Sequence, residues 1–494
     1  MAFPYNFPFD FGSGYFVEIS WDNSGNFTGS SDDVTSDVKY IAYSRGRDNE
    51  TGKAITGQCS LVLKNSTGKY SPPNSNSILY DNLLPKRPLK IYYSSSGTNY
   101  DLFYGYIEEF IPHPHLDEQD CIITAVDGLD HLSRHDLTTA LYKSASIGDV
   151  YGYTLNDAGW SSTLRTLDVG QTVIPYWYGA NVKARFAQEE LDDNEQGFSY
   201  VDGTGNFVFE NRYHRSNATH QTSQATFSNT MTGIKYSLNT KNVYNIVKVT
   251  VTPWALQTES ELFRLEEVPL ITSSQTITWW GNSSVFVDEW VTPVASTDYT
   301  ANSASTGLGD NETANITVSV TNFAKAIKLA VTNSASRDVY VTLLKARGTW
   351  YDDETTVTVK EEDATSQTAY QKRTYEINGK YITNSTYAQD LAKYSIAKYK
   401  DPRGELAVTL VNKNETNWAQ ILNRRISDRV TVVNSVLGLN KDYFIDHEEH
   451  QITDSGKYHT VTWRLVDTTN EDFWCLDFSA LASVTTSGQT KLGY

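Results

Sequence analysis

A four-part run of strand-like sequence occurs twice in this chain, once near each end, and it constrains the fold more than any other feature. The first copy comprises SLVLKN at 60–65, KRPLKIYY at 86–93, DLFYGYIEEF at 101–110 and QDCIITAVDGL at 119–129. The second comprises LAVTLVN at 406–412, SDRVTVVN at 427–434, KDYFIDHEEH at 441–450 and YHTVTWRLVDT at 458–468. In each copy an alternating strand is followed by a basic residue leading into a second strand, an aromatic strand closed by acids, and an alternating strand ending in Val-Asp. We therefore predict a duplicated β unit, which builds a pseudo-symmetric surface suited to assembly. The alternative is that two unrelated β meanders share a common pattern.

Length and composition predict a multidomain, mainly β protein with minor α structure. The chain has 494 residues, of which 39% are hydrophobic and 13% aromatic, and 494 residues are too many for one core. Tyrosine, threonine and valine are abundant, which favours strands. The net charge of −18 argues against a sequence-independent DNA-binding groove, since such grooves are basic. An acidic surface would instead let passing DNA slide.

Changes of pattern along the chain predict four segments. Residues 1–140 read as strands, and 141–240 as a small α+β module with helical spacing at 146–155 and 182–191 and a hairpin at 197–209. Residues 255–365 alternate almost throughout and predict an inserted β-sandwich. Residues 366–494 hold the second copy, preceded by a helix whose capping box we place at Thr386 and Gln389.

Cysteine usage and hydropathy bound the compartment. Cys59, Cys121 and Cys475 do not form a disulfide framework, and the first two fall on predicted strands at inward phase, so we expect buried thiols. No apolar run reaches membrane-spanning length, and the N-terminal sequence lacks the charged and apolar regions of a signal peptide. We therefore expect synthesis in a cytoplasm without export by the usual signal route.

Two histidine pairs are candidate metal ligands. His113 and His115, with Asp117 and Glu118 beside them, would form a metal pocket if both imidazoles converged on one ion, but a polar hairpin tip is the favoured explanation. His447-Glu448-Glu449-His450 resembles a zinc-protease helix only superficially, because that motif places its two histidines four apart on a helix with a glutamate between them. For 447–450 we expect a solvated loop. We predict no metal and no cofactor.

No motif of a catalytic site is present. The chain has no phosphate-binding loop, no nucleophile elbow and no Cys/His pair in a familiar context. Glycosidase chemistry needs two facing carboxylates, which sequence cannot place. An enzyme that degrades cell-wall polysaccharide or peptide therefore stays a third hypothesis without a motif.

Residues 32–93 carry a recognisable signature. Its parts are Asp33-Val34-Thr35, Ser44-Arg45-Gly46-Arg47, Leu63-Lys64-Asn65, Gly68-Lys69-Tyr70-Ser71-Pro72 and Arg87-Pro88-Leu89-Lys90-Ile91. This text resembles the N-terminal signature of tail-tip or baseplate-hub proteins of tailed bacteriophages. Matches continue through Leu102–Ile107, Ala125–Leu129, the hairpin from Tyr200 to Phe209 and the step Ile426–Val430. The segment 255–360 looks like an added module.

The resemblance implies a structural virion protein. It implies a homotrimer in which 1–140 and 366–494 are tube-like β-barrels, so that three chains give six barrels and match the six-fold tail tube. The implied partners are the tail tube, distal tail proteins, the tape measure protein and tail fibres or a spike. DNA would leave through the centre at ejection. The protein would be assembled in the host cytoplasm and reside at the virion tail tip, with no membrane span and no sequence-specific nucleic-acid binding.

Two sets of residues are candidate sites. As subunit-interface residues we name Arg45, Arg47, Arg87 and Arg429; solvated or intrachain ion pairs are the alternative for each. As glycan-contact residues, for a receptor- or carbohydrate-binding function of the sandwich, we name Trp279, Trp280, Trp290 and Tyr299. Packing between domains is the alternative for these aromatic residues.

Overall fold

The computed structural model describes residues 14–115, 119–228, 231–353, 355–454 and 456–468, and the backbone of 473–474 and 491–492. The fold is mainly β with minor α and contains several sheets, as predicted. Cys475 and two of the metal-ligand candidates, Asp117 and Glu118, lie outside the described residues.

The elements of the first half of the chain are β1 (Tyr15–Ile19), β2 (Val38–Arg47), β3 (Ala54–Lys64), β4 (Pro88–Ser95), β5 (Thr98–Pro114), β6 (Gln119–Val126), α1 (Leu129–Arg134), β7 (Asp136–Thr138), β8 (Tyr142–Ser146), α2 (Ile147–Asp157), β9 (Arg165–Leu167), β10 (Val173–Trp177), β11 (Ala180–Lys183), α3 (Ala184–Glu195), β12 (Phe198–Val201), β13 (Phe207–Glu210), α4 (Ala218–Gln221), β14 (Ala225–Phe227) and β15 (Gly233–Leu238). Those of the second half are β16 (Ile246–Val251), β17 (Trp254–Arg264), β18 (Leu270–Ile271), β19 (Thr276–Asn282), β20 (Phe286–Trp290), β21 (Tyr299–Asn302), β22 (Ile316–Asn322), β23 (Ala326–Asn333), β24 (Val339–Asp353), β25 (Val357–Glu362), α5 (Ala364–Tyr370), β26 (Thr374–Ile377), α6 (Ser385–Tyr399), β27 (Gly404–Val411), α7 (Glu415–Asn423), β28 (Arg429–Asn434), β29 (Leu439–Thr453), β30 (Tyr458–Asp467), β31 (Phe473–Trp474) and β32 (Lys491–Leu492). Short 3-10 turns lie at Thr35–Asp37, Tyr80–Asn82, His214–Ser216 and Thr313–Asn315.

The first six strands form one unit. Their order in the sheet is β1-β4-β5-β6-β3-β2, and every pairing is antiparallel. On β3 the alternation of the sequence becomes burial, because Cys59, Leu61 and Leu63 face the core while Ser60 and Val62 are less buried. We call this sheet unit 1.

A second unit repeats the same order. Its strands lie in the order β14-β28-β29-β30-β27-β15, so that in both units the strands numbered along the chain run 1-4-5-6-3-2. The one difference in direction is β14, which runs parallel to β28, whereas β1 runs antiparallel to β4. The predicted duplication is therefore confirmed in strand order. We call this sheet unit 2.

A shared β-bulge aligns the two units residue by residue. The β5–β6 register shifts between Ile107 and Glu109, and the β29–β30 register shifts between Ile445 and His447. Just before each bulge, Ile107 N–H donates to the Arg87 carbonyl at 2.9 Å and Ile445 N–H donates to the Asp428 carbonyl at 3.1 Å. Ile107 therefore corresponds to Ile445, and a bulge so repeated belongs to the fold itself.

Unit 2 extends beyond the predicted segment. Its strands β14 and β15 come from 141–240, which we predict to be an α+β module, so the module ends earlier than predicted. The strand β16 joins β25 and β26 in a small sheet against α6, which the sequence pattern does not predict. The helix α6 is present as predicted, but its N-cap is Asn384, whose side chain accepts from the N–H groups of Thr386 and Tyr387.

The remaining two bodies have the predicted character. In the module, α2 begins with a capping box between Ser146 and Asp149, and β12 and β13 form the predicted hairpin. The insertion is a sandwich in which a sheet built on β24 faces the sheet β19-β23-β22. Its core is formed by Ile327, Leu329, Val331, Val339 and Val341 with their neighbours.

Candidate functional site

The two units are joined edge to edge within the chain. The strand β2 of unit 1 pairs antiparallel with the second half of β29 of unit 2, from Ile41 opposite Ile452 to Gly46 opposite His447. This junction converts two six-stranded units into one 12-stranded sheet. Buried charges from both units meet at this junction.

Gly46 is required at the junction by its surroundings. Its φ is +114°, a backbone conformation that side chains disfavour. A Cβ atom at this position would lie 2.4 Å from the Asp446 carbonyl oxygen and 2.7 Å from the His447 Cα atom. The backbones of the two units therefore approach more closely here than any other residue allows.

Two buried ion pairs cross the junction. Arg45 Nε lies 2.6 Å from Glu448 Oε1, and Arg47 donates from Nε to Asp446 Oδ2 at 2.9 Å and from Nη2 to Asp446 Oδ1 at 3.1 Å. Arg215 of the module also pairs with Asp446. The bulge in β29 supplies Asp446, whose side chain is 1% exposed. Removing one partner of such a pair costs about 3–5 kcal/mol, because the other charge stays buried and uncompensated.

Both carboxylates are held ionised. Burial by itself raises the pKa of Asp446, but Arg215 and Arg47 outweigh it and hold that pKa well below its usual range. Burial likewise raises the pKa of Glu448, but Arg45, with His450, lowers it to about 2. The junction is therefore charged on both sides at neutral pH.

A chain of hydrogen bonds runs from His450, whose Nε2 lies 3.6 Å from Glu448 Oε2, into unit 1. His450 Nδ1 lies 2.8 Å from His459 Nε2, and His459 Nδ1 lies 2.9 Å from the Tyr15 hydroxyl. Burial lowers the pKa of both histidines, so both rings are neutral at pH 7. The prediction of a solvated loop at 447–450 is wrong, because these residues form the middle of β29.

The four predicted interface arginines all have partners within the chain. For Arg45 and Arg47 the structure shows the intrachain alternative, since their side chains are 7% and 9% exposed. Arg87 donates from Nε to the Asn82 carbonyl at 3.1 Å, and Arg429 donates to Asp442 at 2.8 Å. Arg87 and Arg429 are partly exposed, so a contact to a second subunit stays a prediction for these two.

The four predicted glycan-contact residues differ in exposure, and only one of them faces solvent. Trp290 is 6% exposed and donates from Nε1 to the Phe323 carbonyl at 2.9 Å, which corrects the prediction that it contacts a ligand. Trp279 and Tyr299 pack against the sandwich core. Trp280, next on β19, points outward and is 54% exposed.

The remaining residues singled out in the sequence form no metal site within the described ranges. His113 lies near the end of the β5–β6 pairing, opposite Asp120. Across the described ranges, no group of three or more His, Cys, Asp and Glu residues has the geometry to hold a metal ion. No described helix is long and apolar enough to cross a membrane. Cys59 and Cys121 are free and buried, as predicted.

Sequence reasoning missed the acidic and histidine residues of the junction. Glu448 and His450 lie at the strand phase of the buried Ile452. His459 lies at the phase of Val461 and Trp463, so these polar residues belong to buried faces. The signal was therefore the phase of these polar residues. The partners Arg45 of Glu448 and Tyr15 of His459 could not be identified because they lie hundreds of positions away in the sequence.

Comparisons with known proteins agree on the fold. No family model matches the chain, and no curated protein matches its sequence. The 43 kDa tail protein of prophage MuSo2 from Shewanella oneidensis is similar in structure, with a TM-score of 0.50 and 10% sequence identity over 93% of this chain and 100% of that one. The tail protein from Neisseria meningitidis MC58 is similar with a TM-score of 0.51 and 10% identity, over 92% of this chain and 97% of that one. The chain therefore has the fold of phage tail proteins, as the resemblance implies; at this identity the likeness concerns the fold alone.

Proposed function

We propose that this chain is a structural protein of a phage tail, the hub at the distal end of the tail tube. In this proposal three chains form a ring of six units, with units 1 and 2 alternating. The observation that carries it is the repetition of one six-stranded order in two units joined edge to edge. An edge-to-edge contact between equivalent sheets is heterologous, and repeated heterologous contacts form a ring when the rotation between neighbouring units closes.

The ring has a place between two symmetries. Its six similar units would face a six-fold tail tube, while its three identical chains would present three-fold sites to a spike or to fibres. The tape measure protein and distal tail proteins are its further partners, and DNA leaves through the opening at ejection. The net charge of −18 suits such a passage, because an acidic wall repels the phosphate backbone.

The mass of the purified protein in solution tests the ring. Native mass spectrometry of the full chain is expected to show three times the 55.5 kDa of one chain, and averaged electron micrographs are expected to show a ring of six similar lobes. A protein that stays monomeric at every concentration, and is monomeric or absent in purified tails, would refute the proposal.

The proposed role is non-enzymatic. Incubating the purified protein with host cell walls is expected to release no soluble fragments. Release of sugar or peptide fragments that persists through independent purifications would contradict the proposal and support the hypothesis of a cell-wall-degrading enzyme.

A second candidate function, glycan binding, rests on Trp280. Its ring is 54% exposed, with the Phe323 ring 5.4 Å away and Lys328 Nζ 5.9 Å from its centroid. The alternate positions of β19, β23 and β22 that share its face carry hydroxyl or small side chains and no acid, namely Thr276, Thr278, Thr317, Ser319, Thr321, Ala330 and Thr332. Exposed aromatic rings stack on sugar faces, and hydroxyl groups bind sugar hydroxyls.

A glycan array tests this second function. The full chain is expected to bind a subset of surface glycans, and Trp280→Ala is expected to lose that binding. Leu308→Ala is the matched control, because Leu308 lies on the same sandwich and is 90% exposed. Absence of binding by the parent chain, or equal loss in both variants, would remove the function.

A further inference from the structure

We propose that β15 of one chain pairs antiparallel with residues 109–114 of β5 in a second copy of the chain, in the register of the β2–β29 junction. The proposal rests on the ring and specifies its seam. It follows from the alignment of the two units and from the edges that stay unpaired among the described strands.

The strand β15 corresponds to β2. In unit 1, Gln58 of β3 opposes Val126, and in unit 2, Glu405 of β27 opposes Val466, so Leu61 corresponds to Val408. Ile41 of β2 opposes Leu61, and Ile234 of β15 opposes Val408. The sequence Ile-Ala-Tyr-Ser at 41–44 therefore aligns with Ile-Lys-Tyr-Ser at 234–237.

The second half of β5 corresponds to the half of β29 that β2 occupies. The shared bulge makes 109–114 equivalent to 447–452. In the single chain, β29 uses this stretch to bind β2, whereas 109–114 pairs with β6 alone among the described strands. On the other partner, β15 pairs with β27 alone within the same described set. Among the described strands, unit 1 therefore has an unpaired edge at 109–114, where the equivalent stretch of unit 2 pairs with β2. Unit 2 has an unpaired edge at β15, where the equivalent strand of unit 1 pairs with β29.

The equivalence fixes a register. The predicted pairs between chains are Ile234 with Pro114, Lys235 with His113, Tyr236 with Pro112, Ser237 with Ile111 and Leu238 with Phe110. In the last pair, the seam replaces the charges of Arg45 and Glu448 by two apolar side chains. Both members of the pair change together, so no charge is left uncompensated.

The exposure of β15 supports burial by a partner. Leu238 is 60% exposed and Tyr236 is 39% exposed on a strand whose counterpart β2 is largely buried. The Phe110 ring stacks at 6.2 Å on Trp21, which belongs to the core of unit 1. Docked in this register, Leu238 would lie beside Phe110 and extend that core, at the position that Arg45 occupies at the junction inside the chain.

A second apolar patch lies beside the same edge. The connection from β27 to β28 contains α7, which sends Leu422 and Trp418 across the junction into the core of unit 1. The equivalent connection of unit 1 carries Ile78, Tyr80 and Leu84, which are 78%, 43% and 50% exposed. By the same equivalence these residues would pack against unit 2 of the next chain.

Two prolines explain why this edge does not pair indiscriminately. Pro112 and Pro114 lack an N–H donor, and prolines are tolerated on edge strands for that reason. Their carbonyl groups still accept hydrogen bonds from β15. A strand that offers fewer donors is a poor template for unrelated strands, so the matching side chains decide the partner.

Engineered disulfides test the seam. In a Cys475→Ser background, the pair Lys235→Cys and His113→Cys is expected to oxidise into covalent dimers and trimers that reducing agent separates. The matched control is Ala42→Cys with Gln451→Cys, the equivalent pair inside the chain, which is expected to form a disulfide without any increase in mass. Trimers without cross-links in the first pair would overturn the seam while leaving the ring intact. Absence of any oligomer would overturn both.

A charge at the seam gives an independent measurement. Leu238→Glu is expected to leave the thermal unfolding of the single chain unchanged, because the side chain is mostly exposed, and to weaken the trimer at least tenfold. Leu256→Glu, at a residue 54% exposed on the sandwich, is expected to leave the trimer unchanged. An unchanged trimer in Leu238→Glu, or equal weakening in both variants, would overturn the seam.

Discussion

The substitution Gly46→Ala tests whether the two units are held together by close backbone contact. The new methyl group would lie 2.4 Å from the Asp446 carbonyl oxygen and 2.7 Å from the His447 Cα atom, so β2 and β29 must separate or the bulge must rearrange. The positive φ adds about 1–3 kcal/mol of strain, and overpacking a fixed site adds about 1–3 kcal/mol. We expect a total loss of about 2–6 kcal/mol, concentrated at the junction.

Gly97→Ala is the control that separates these two contributions. Gly97 has a φ of +80°, and a Cβ atom there would meet nothing within 4 Å. It should therefore cost only the conformational part. The measurement is thermal unfolding of both variants together with hydrogen exchange of the β2 and β29 amides. If Gly46→Ala loses no more stability than Gly97→Ala, and the β2 amides stay protected, close packing at the junction does not explain this glycine.

Three further predictions concern the junction and the core of unit 1. Glu448→Gln is expected to lower the free energy of unfolding by about 3–5 kcal/mol at pH 7, because it leaves Arg45 buried without its partner. The pKa of Glu448 in the folded protein is lowered to about 2. The contribution of Glu448 to stability is therefore full above about pH 4.3 and is lost as the pH falls towards 2. Urea unfolding at pH 7 and pH 2.5 should therefore show a large gap between parent and variant that narrows in acid, and a gap independent of pH would contradict the assignment. Leu422→Ala is expected to cost about 2–5 kcal/mol, since this side chain is 3% exposed and fills the core of unit 1, whereas Val436→Ala at 92% exposure should be silent in the same urea titration. Burial raises the pKa of Cys59 and raises that of Cys121 to about 11, so in a Cys475→Ser background a thiol reagent should label neither until the protein unfolds; rapid labelling of the native protein would show that these strands open.

The strand repeat could be predicted from sequence because it is local. The segments at 60–65 and 406–412 alternate with period two, and their phase correctly placed Cys59 and Leu61 inward. Local sequence patterns likewise predicted the sandwich and the hairpin at 197–209. What local pattern cannot give is the partner of an edge, which is why the pairing of β2 with β29 was not predicted.

The polar residues show the same division. The sequence marks Arg45 and Arg47 as candidate interface residues but leaves open whether each is solvated, paired within the chain or in contact with a second subunit. Only the fold brings Glu448 and Asp446 beside them. The short strands β14 and β15 were assigned to the module because nothing in their sequence tells which sheet will accept them. Trp279 and Trp280 are neighbours on β19 and differ in strand phase, so one packs against the core and the other faces solvent.

The junction between the units also sets an order of events on the ribosome. Arg47 and Asp446 are 399 residues apart, so at about 5–20 residues per second β2 leaves the ribosome some 20–80 s before its partner is made. During that time the edge of β2 is open in a polysome crowded with identical nascent chains. Two arginines near its end are a poor surface for a neighbouring copy to pair with, since like charges would meet. Arg45 and Arg47, which are later buried in ion pairs at the junction, thus first disfavour pairing of β2 with a neighbouring nascent chain.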